Sequence, residues 1–255
     1  MTGFRIKSWI NYWLDAVDEH SLHSPFLYDL YTGVIKQKSE RLPAVESLRK
    51  TLLKNPHELS YDDPGAGTVS RKKKRTISRL AKISTTPSIY AALYRKLVNW
   101  AKAEVIVELG TCLGLTTLYL SGNGRSVYTF EGAPVLADLA QSHFEQLQTG
   151  TIHLIRGNIN ETLRPVLDKI PRVDFALVDA NHRYQPVMYY LELLIKKIHT
   201  GSVIVVDDIH LNPEMEKAWK EIRSHPLVYC SADLFRCGLL FFNPSVYRQH
   251  VVLQF

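Results

Sequence analysis

Acidic residues recur in this chain at one kind of place, the end of a short apolar run that precedes a turn. Glu108 closes V-I-V-E-L ahead of G-T-C-L-G, and Glu131 follows S-V-Y-T-F. Asp179 follows F-A-L-V, and Asp207 and Asp208 follow V-I-V-V. Runs of four or five residues rich in β-branched types read as buried strands, which puts each carboxylate at a strand end. In an open parallel sheet those ends share one edge, where ligands bind. Acids gathered there favour a cationic ligand or a hard divalent cation. His182, three residues beyond Asp179, adds an imidazole, a side-chain type that can take a proton from a hydroxyl at neutral pH.

The spacing E-x-G-T-x-x-G from Glu108 to Gly114 is not the dinucleotide fingerprint G-x-G-x-x-G, because Cys112 stands out of register. Nor is it a phosphate-binding loop, which ends in Gly-Lys-Ser/Thr. A carboxylate at the turn suits a cation better than a pyrophosphate.

From Glu104 onward apolar runs and helical patterns alternate. The pattern predicts strands over Val105–Leu109, Ser126–Phe130, Thr151–Arg156, Val173–Val178 and Ser202–Val206. Helices are expected over Thr116–Ser121, Val135–Gln148, Ile159–Lys169, Gln185–His199 and Pro213–Arg223. Two last strands, Leu227–Ser231 and Leu234–Phe242, have no helix between them and should pair antiparallel. Alternating units of this kind make a parallel sheet with helices on both faces and right-handed crossovers.

The N-terminal part reads differently. Phe4–Val17 has the spacing of an amphipathic helix, Ser24-Pro25 reads as a helix start, and a third helix is expected over Pro43–Lys54. His20 and His23 read as capping or packing residues rather than metal ligands. Tyr61–Ser70 reads as a loop, followed by the basic run Arg71–Arg75. That run is a solvated, mobile segment, a lid that closes over the site, or a contact for an anionic substrate. Ser88–Trp100 reads as a helix leading into the first strand.

The net charge of +6 is uneven: residues 1–103 carry 18 Lys/Arg against 9 Asp/Glu, a net +9, and the remainder is net −3. A nucleic-acid partner would have to use the basic part, but Arg71–Arg75 lacks interleaved aromatics and no RNA-binding module is recognisable, so none is expected. No apolar run approaches the roughly 20 residues that a membrane span needs. The start of the chain lacks the apolar core of a signal peptide. The three cysteines have no metal-site spacing, and their odd count argues against a disulfide framework, so a cytoplasmic setting is expected.

V-E-L-G-T-x-x-G followed by an acid ending the second strand resembles the class I S-adenosylmethionine (SAM)-dependent methyltransferases, and within them the small-molecule O-methyltransferases. The resemblance runs from about Ala103 to the C-terminus. It implies a Rossmann-like, doubly wound α/β fold, with seven mostly parallel strands, an antiparallel last strand and an N-terminal helical extension. The division expected is 1–87 for the extension with its basic lid segment and 88–255 for the SAM-binding domain. By the same resemblance Glu108 and Gly110 hold the amino-acid end of SAM and Glu131 its ribose. Thr111, Gly114, Gly132, Asn158 and Asp179 complete the cofactor-binding set. Asn158 could equally be a helix cap.

F-A-L-V-D-A-N-H-R-Y and V-I-V-V-D-D-I-H resemble the metal-dependent catechol-type and sugar-modifying O-methyltransferases. That resemblance implies a divalent cation, Mg²⁺ or another, on Asp179, Asp207 and Asp208, although the same acids could cap helices or line the SAM pocket. His182 stands where the catechol-type enzymes carry a lysine base. Asn181 stands where the sugar-modifying branch has an acid, which leaves the base open between His182 as catalyst and His182 as a loop-bonded structural residue. Arg183 and Tyr184 read as anchors of the next helix, and His210 as a pocket residue. The expected substrate is a small molecule with a hydroxyl group. The aromatic N-terminal helix is read as covering either the core or a partner subunit, so a homodimer is among the expected assemblies.

Overall fold

The structure, a computed structural model, describes residues 3–62, 72–147 and 150–255. The N-terminal elements are helices α1 (Gly3–Asp15), α2 (Pro25–Leu30) and α3 (Pro43–Leu52), with a π-helical turn, Tyr31–Ile35, extending α2. A ribbon of β1 (Glu58–Asp62) and β2 (Lys72–Thr76) follows, then α4 (Ile77–Ile83) and α5 (Ser88–Trp100). The alternation begins with β3 (Val105–Leu109), α6 (Leu115–Leu120), β4 (Ser126–Glu131), α7 (Pro134–Leu147), β5 (Thr151–Arg156) and α8 (Ile159–Lys169). It continues with β6 (Phe175–Val178), α9 (Tyr184–Ile195), β7 (Val203–Asp207) and α10 (Pro213–Ile222). The chain closes with β8 (Cys230–Asp233), β9 (Cys237–Phe241) and β10 (Gln249–Val252).

The main sheet has eight strands in the order β10-β8-β9-β7-β6-β3-β4-β5. It is mostly parallel, with β9 antiparallel to both β7 and β8. Parallel strands covered on both faces read as continuous apolar runs, and β6 and β7 are buried at every position. The expected seven strands become eight because β10 pairs parallel to β8. Q-H-V-V is too short and too polar at its start to announce a strand, and its partner decides its conformation.

The residues divide into two compact units, Met1–Lys38 with Trp100–Lys102 and Ile170–Phe255, and Ser39–Asn99 with Ala103–Lys169. In the second, β3, β4 and β5 pair parallel and in register. Leu113, Leu115, Leu118, Leu136, Ala140 and Phe144 form a core with Val45, Leu48, Leu52, Leu59 and Tyr61. A polar tie fixes α6 to α3: the Tyr119 hydroxyl donates to Glu46 Oε1 at 2.9 Å and accepts from the Leu42 N–H at 3.2 Å. Ser88 Oγ donates to the other Glu46 oxygen at 2.7 Å, which brings the start of α5 into the same network.

The basic run behaves differently from its composition. Residues 63–71, including most of the expected Tyr61–Ser70 loop and Arg71, lie outside the described residues. Tyr61 and Asp62 belong to β1, and Lys72–Thr76 pair with β1 antiparallel, Asp62 opposite Lys72 and Glu58 opposite Thr76. β1 alternates exposed and buried residues, so Leu59 and Tyr61 anchor the ribbon to the core. That cross-strand pairing overrides the preference of a charge block for open chain.

In the first unit α1 forms where its periodicity predicts, yet it docks through polar groups. Ser8 Oγ donates to Glu216 Oε2 at 3.1 Å and the Tyr12 hydroxyl donates to the Leu253 carbonyl at 2.6 Å. Trp9, Ile10, Trp13 and Leu14 stay exposed. Asn212 caps α10, its Oδ1 accepting the Met215 N–H at 2.9 Å. Trp219 on that helix is fully buried against β9, where a Cβ at Gly238 would stand 2.4 Å from two of its ring carbons. Gly238→Ala is therefore expected to destabilise the protein by about 1–3 kcal/mol through overpacking, read as a lower midpoint in urea unfolding. A midpoint equal to that of the wild type would mean that the indole is free to shift.

Candidate active site

Glu108 is the centre of the site in the second unit. It is fully buried because its strand is covered on both faces, and Thr129 lies directly opposite it on β4. Thr129 Oγ1 donates to Glu108 Oε2 at 2.6 Å, and Thr117 Oγ1 on α6 donates to the same oxygen. Thr129 in turn is 2.6 Å from Thr111 Oγ1, which extends the chain of hydroxyls into the turn. Glu108 Oε1 is buried and has no hydrogen-bond partner among the described residues. A buried acceptor left without a donor costs about 1–3 kcal/mol. Burial pushes the Glu108 pKa up to about 7, the Thr117 and Thr129 hydroxyls opposing the rise and the charge of Glu131 adding to it.

The turn after β3 reverses through left-handed backbone at Gly110 (φ 103°), Cys112 (φ 51°) and Gly114 (φ 74°). The Gly110 and Thr111 N–H groups both donate to the Phe130 carbonyl, at 3.2 and 3.1 Å. At Gly114 a side chain is excluded twice, by its φ and by Phe144, whose ring would come within 2.5 Å of an added Cβ. Glu131 ends β4 and bridges the neighbouring turns. Its two oxygens accept the N–H groups of Cys112 and Ala133, each at 2.8 Å. Gly132 lies between Glu131 and Ala133, inside that closed turn. Asn158 begins α8: its Oδ1 accepts the Asn160 N–H at 3.0 Å, and its carbonyl accepts from Glu161 and Thr162. Of the two readings open for Asn158, capping is the one its side chain performs here.

The other unit carries the second acidic group. Asp179 follows β6, and the chain then turns through left-handed Asn181 (φ 67°) and His182 (φ 43°). Asn181 Nδ2 donates to the Tyr190 hydroxyl at 2.6 Å, and Asn212 Nδ2 donates to the His182 carbonyl at 2.9 Å. These bonds hold two adjacent residues in a region that costs about 1–3 kcal/mol each. His182 Nε2 lies 3.8 Å from Asp179 Oδ1, and its Nδ1 is buried with no hydrogen-bond partner among the described residues. Asp179, His182 and Asp208 each offer one ligand atom, all within 4.8 Å of one another. Two carboxylates and an imidazole form a donor set that a divalent cation can use.

Asp207 stands apart from that group although the sequence pairs it with Asp208. It is fully buried, and both its oxygens are engaged. Oδ2 accepts from Arg236 Nε at 3.2 Å and from the Arg236 terminal nitrogen at 2.9 Å, while Oδ1 accepts the Asp208 N–H at 2.9 Å. Burial pushes the Asp207 pKa up and the Asp208 charge adds to this, with Arg236 opposing. For Arg236 burial disfavours the charge, but Asp207, Asp208 and Asp179 outweigh it and raise its pKa. Two N–H groups on one carboxylate oxygen, from a side chain that stays charged, favour the ion pair over a neutral Asp207. His210 is held too, its Nε2 2.8 Å from Asp233 Oδ2 and its ring stacked on Phe235. Arg183 occupies the cap position of α9, and the Tyr184 N–H donates to Glu214 Oε2 at 2.9 Å.

Thr117, Thr129, Asn212 and Arg236 lie outside the acidic motifs. The one signal for Thr129 is a polar residue inside an otherwise apolar strand. Arg236 has none, because the β8–β9 hairpin decides what faces Asp207.

Comparison with known proteins agrees with this architecture. Residues 107–209 match a family described as a methyltransferase domain. Protein R132 of Acanthamoeba polyphaga mimivirus is 30% identical over 113 residues, 40% of this chain. The match spans half the length of that relative. Among solved structures, the Podospora anserina methyltransferase PaMTH1, with SAH (S-adenosylhomocysteine) bound, superposes with a TM-score of 0.62 at 14% identity. That match covers 86% of this chain and 96% of the other. The O-methyltransferase TomG of Streptomyces achromogenes, solved with SAM and involved in tomaymycin synthesis, gives 0.55 at 18% identity. It covers 62% of this chain and 82% of TomG. The fold is that of the class I SAM-dependent methyltransferases. Within it, the match to the methyltransferase-domain family covers residues 107–209, less than half of the chain.

The buried Glu108 makes stability depend on pH. Its pKa is about 7 when folded against 4.5 for the free side chain, so the unfolded chain gives up this proton first as pH rises. The associated stability is complete below pH 4.5 and lost as pH climbs through about 7, a total on the order of 3 kcal/mol. Glu108→Gln removes this dependence. The melting temperature of the wild type should therefore fall relative to that variant between about pH 4.5 and 7.5. Parallel curves would show that the carboxylate is ionised throughout.

Proposed function

We propose that this protein transfers the methyl group of SAM to a hydroxyl oxygen of a small molecule, with a divalent cation, Mg²⁺ in the first instance, assisting at Asp179 and Asp208. When bound, SAM supplies an electrophilic sulfonium methyl. What remains for the protein is to bind, orient and deprotonate.

Residues of this chain fit both ligands. The orphaned Oε1 of Glu108 is a ready acceptor for an ammonium N–H, and a cationic neighbour would favour the ionised carboxylate. Glu131 accepts the backbone N–H groups of Cys112 and Ala133, and a carboxylate at the end of the second strand of the alternation is placed to meet ribose hydroxyls. Thr111 and Gly114 shape the turn, and Gly110 brings backbone close without a side chain in the way. Asn158 would contribute beside the adenine through its backbone region, since its side-chain oxygen is committed to the helix cap.

The observation that carries the reading of the acceptor side is the grouping of Asp179, His182 and Asp208. A cation held by the two carboxylates would lower the pKa of an acceptor hydroxyl and orient it. His182 is the group that takes the proton. Its backbone is fixed by Asn212 and by the Asn181–Tyr190 bond, so the imidazole keeps its place beside Asp179 while the acceptor comes and goes. Asp207, engaged by Arg236, supports this arrangement rather than contributing a ligand atom.

The test is methyl transfer from labelled SAM to a panel of catechols and vicinal diols, with RNA as a comparison acceptor. Transfer to the small molecules is expected, abolished by EDTA and restored by Mg²⁺. Turnover should fall on the order of 10²-fold in His182→Ala while calorimetric SAM affinity stays the same. Absence of SAM binding would sink the enzyme assignment. Transfer to RNA alone would sink the substrate class, and loss of SAM affinity in His182→Ala would sink the base role.

A further inference from the structure

We propose that Arg236 is a positioning residue for the cation site: it sets the direction of the Asp208 carboxylate by clamping the strained backbone on either side of it. The inference rests on the cation reading above and adds a residue that the acidic motifs do not contain.

Asp208 sits at φ 53°, a left-handed conformation that needs outside support in a residue other than glycine. Two of its supports lead to Arg236. On the N-terminal side, the Asp208 N–H is taken by Asp207 Oδ1, and the other oxygen of that carboxylate is gripped by two Arg236 nitrogens. On the C-terminal side, the Ile209 N–H donates to the Arg236 carbonyl at 3.1 Å. One residue thus holds the peptide groups before and after Asp208, once through its side chain and once through its main chain. A direct approach adds to this, with an Arg236 terminal nitrogen 3.7 Å from Asp208 Oδ1.

Arg236 is itself fixed. Its N–H donates to the Leu234 carbonyl at 2.8 Å, and the Leu234 N–H donates to the Cys237 carbonyl at 2.9 Å. The Phe235 N–H between them donates to Asp233 Oδ1 at 2.8 Å. The hairpin tip is therefore a rigid mount. Groups that orient metal ligands in this manner typically change metal affinity 10- to 100-fold when removed.

A purely electrostatic role predicts the opposite sign. Arg236 is a positive charge beside a proposed cation site, so replacing it with a neutral side chain should tighten cation binding if charge is all it contributes. The clamp predicts weaker binding. Mn²⁺ titration followed by electron paramagnetic resonance, which reads free against bound ion and needs no turnover, separates the two.

Three proteins are compared with SAH present: wild type, Arg236→Met, and the double variant Asp207→Asn/Arg236→Met. The double variant removes both members of the buried ion pair and avoids an uncompensated carboxylate. It stands in should the single variant fail to fold, and its net charge matches that of the wild type. Both variants are expected to bind Mn²⁺ about 10- to 100-fold more weakly. Affinity unchanged in the double variant, or increased in Arg236→Met, overturns the positioning role and leaves the cation reading standing. A wild type that binds no Mn²⁺, or binds it equally after Asp179→Asn, overturns the cation reading and this inference with it.

Discussion

A carboxylate at the end of a strand covered on both faces has lost most of its water, and that loss has to be answered by groups close at hand. Each acid in this sheet finds a different answer. Glu108 takes two threonine hydroxyls on one oxygen and leaves the other without a donor. Glu131 closes two turns with two backbone N–H groups. Asp207 takes a guanidinium fork and the next peptide N–H. The extent to which each acid is satisfied within the protein divides the structural acids from those left able to meet a ligand. Asp207 has both oxygens engaged, whereas Glu108 Oε1 has no partner among the described residues.

The same constraint shapes the backbone. Turning a chain sharply at a strand end, so that a carboxylate or imidazole is presented rather than buried further, forces positive φ. Gly110 and Gly114 absorb this at little steric cost, but Cys112, Asn181, His182 and Asp208 are not glycine and still adopt it. Their concentration next to the acids is where the fold stores strain. The surrounding bonds, from Glu131 to the Cys112 N–H and from Asn212 to the His182 carbonyl, are what hold it.

How much of this could be read without coordinates depends on whether local pattern or pairing decides each feature. Val105–Leu109 is an apolar run with nothing polar but Glu108, and the strand falls where the run does. Helices with clear caps and periodicity, such as Ser88–Trp100 and Ile159–Lys169, have the ends expected. Pairing decides the remainder. Lys72–Arg75 has the composition of open chain and becomes a strand because β1 lies beside it. Gln249–Val252 is a strand only by virtue of β8. Among site residues the acids and His182 stand out by type and place. Thr129 matters through its register opposite Glu108, and Arg236 through a hairpin that carries it back to Asp207. Neither relation is local in the chain, so neither leaves a mark in the motif.

The contact between Gly114 and Phe144 reaches beyond this one molecule. The glycine is there because an aromatic ring on α7 fills the space that a side chain would need. The two positions, 30 apart in the chain, therefore form a single unit of descent. Enlarging the first would need the room that the second now fills, in addition to the strain of a side chain at its left-handed φ. Through that pair, α7 limits which side chains the turn after β3 can carry.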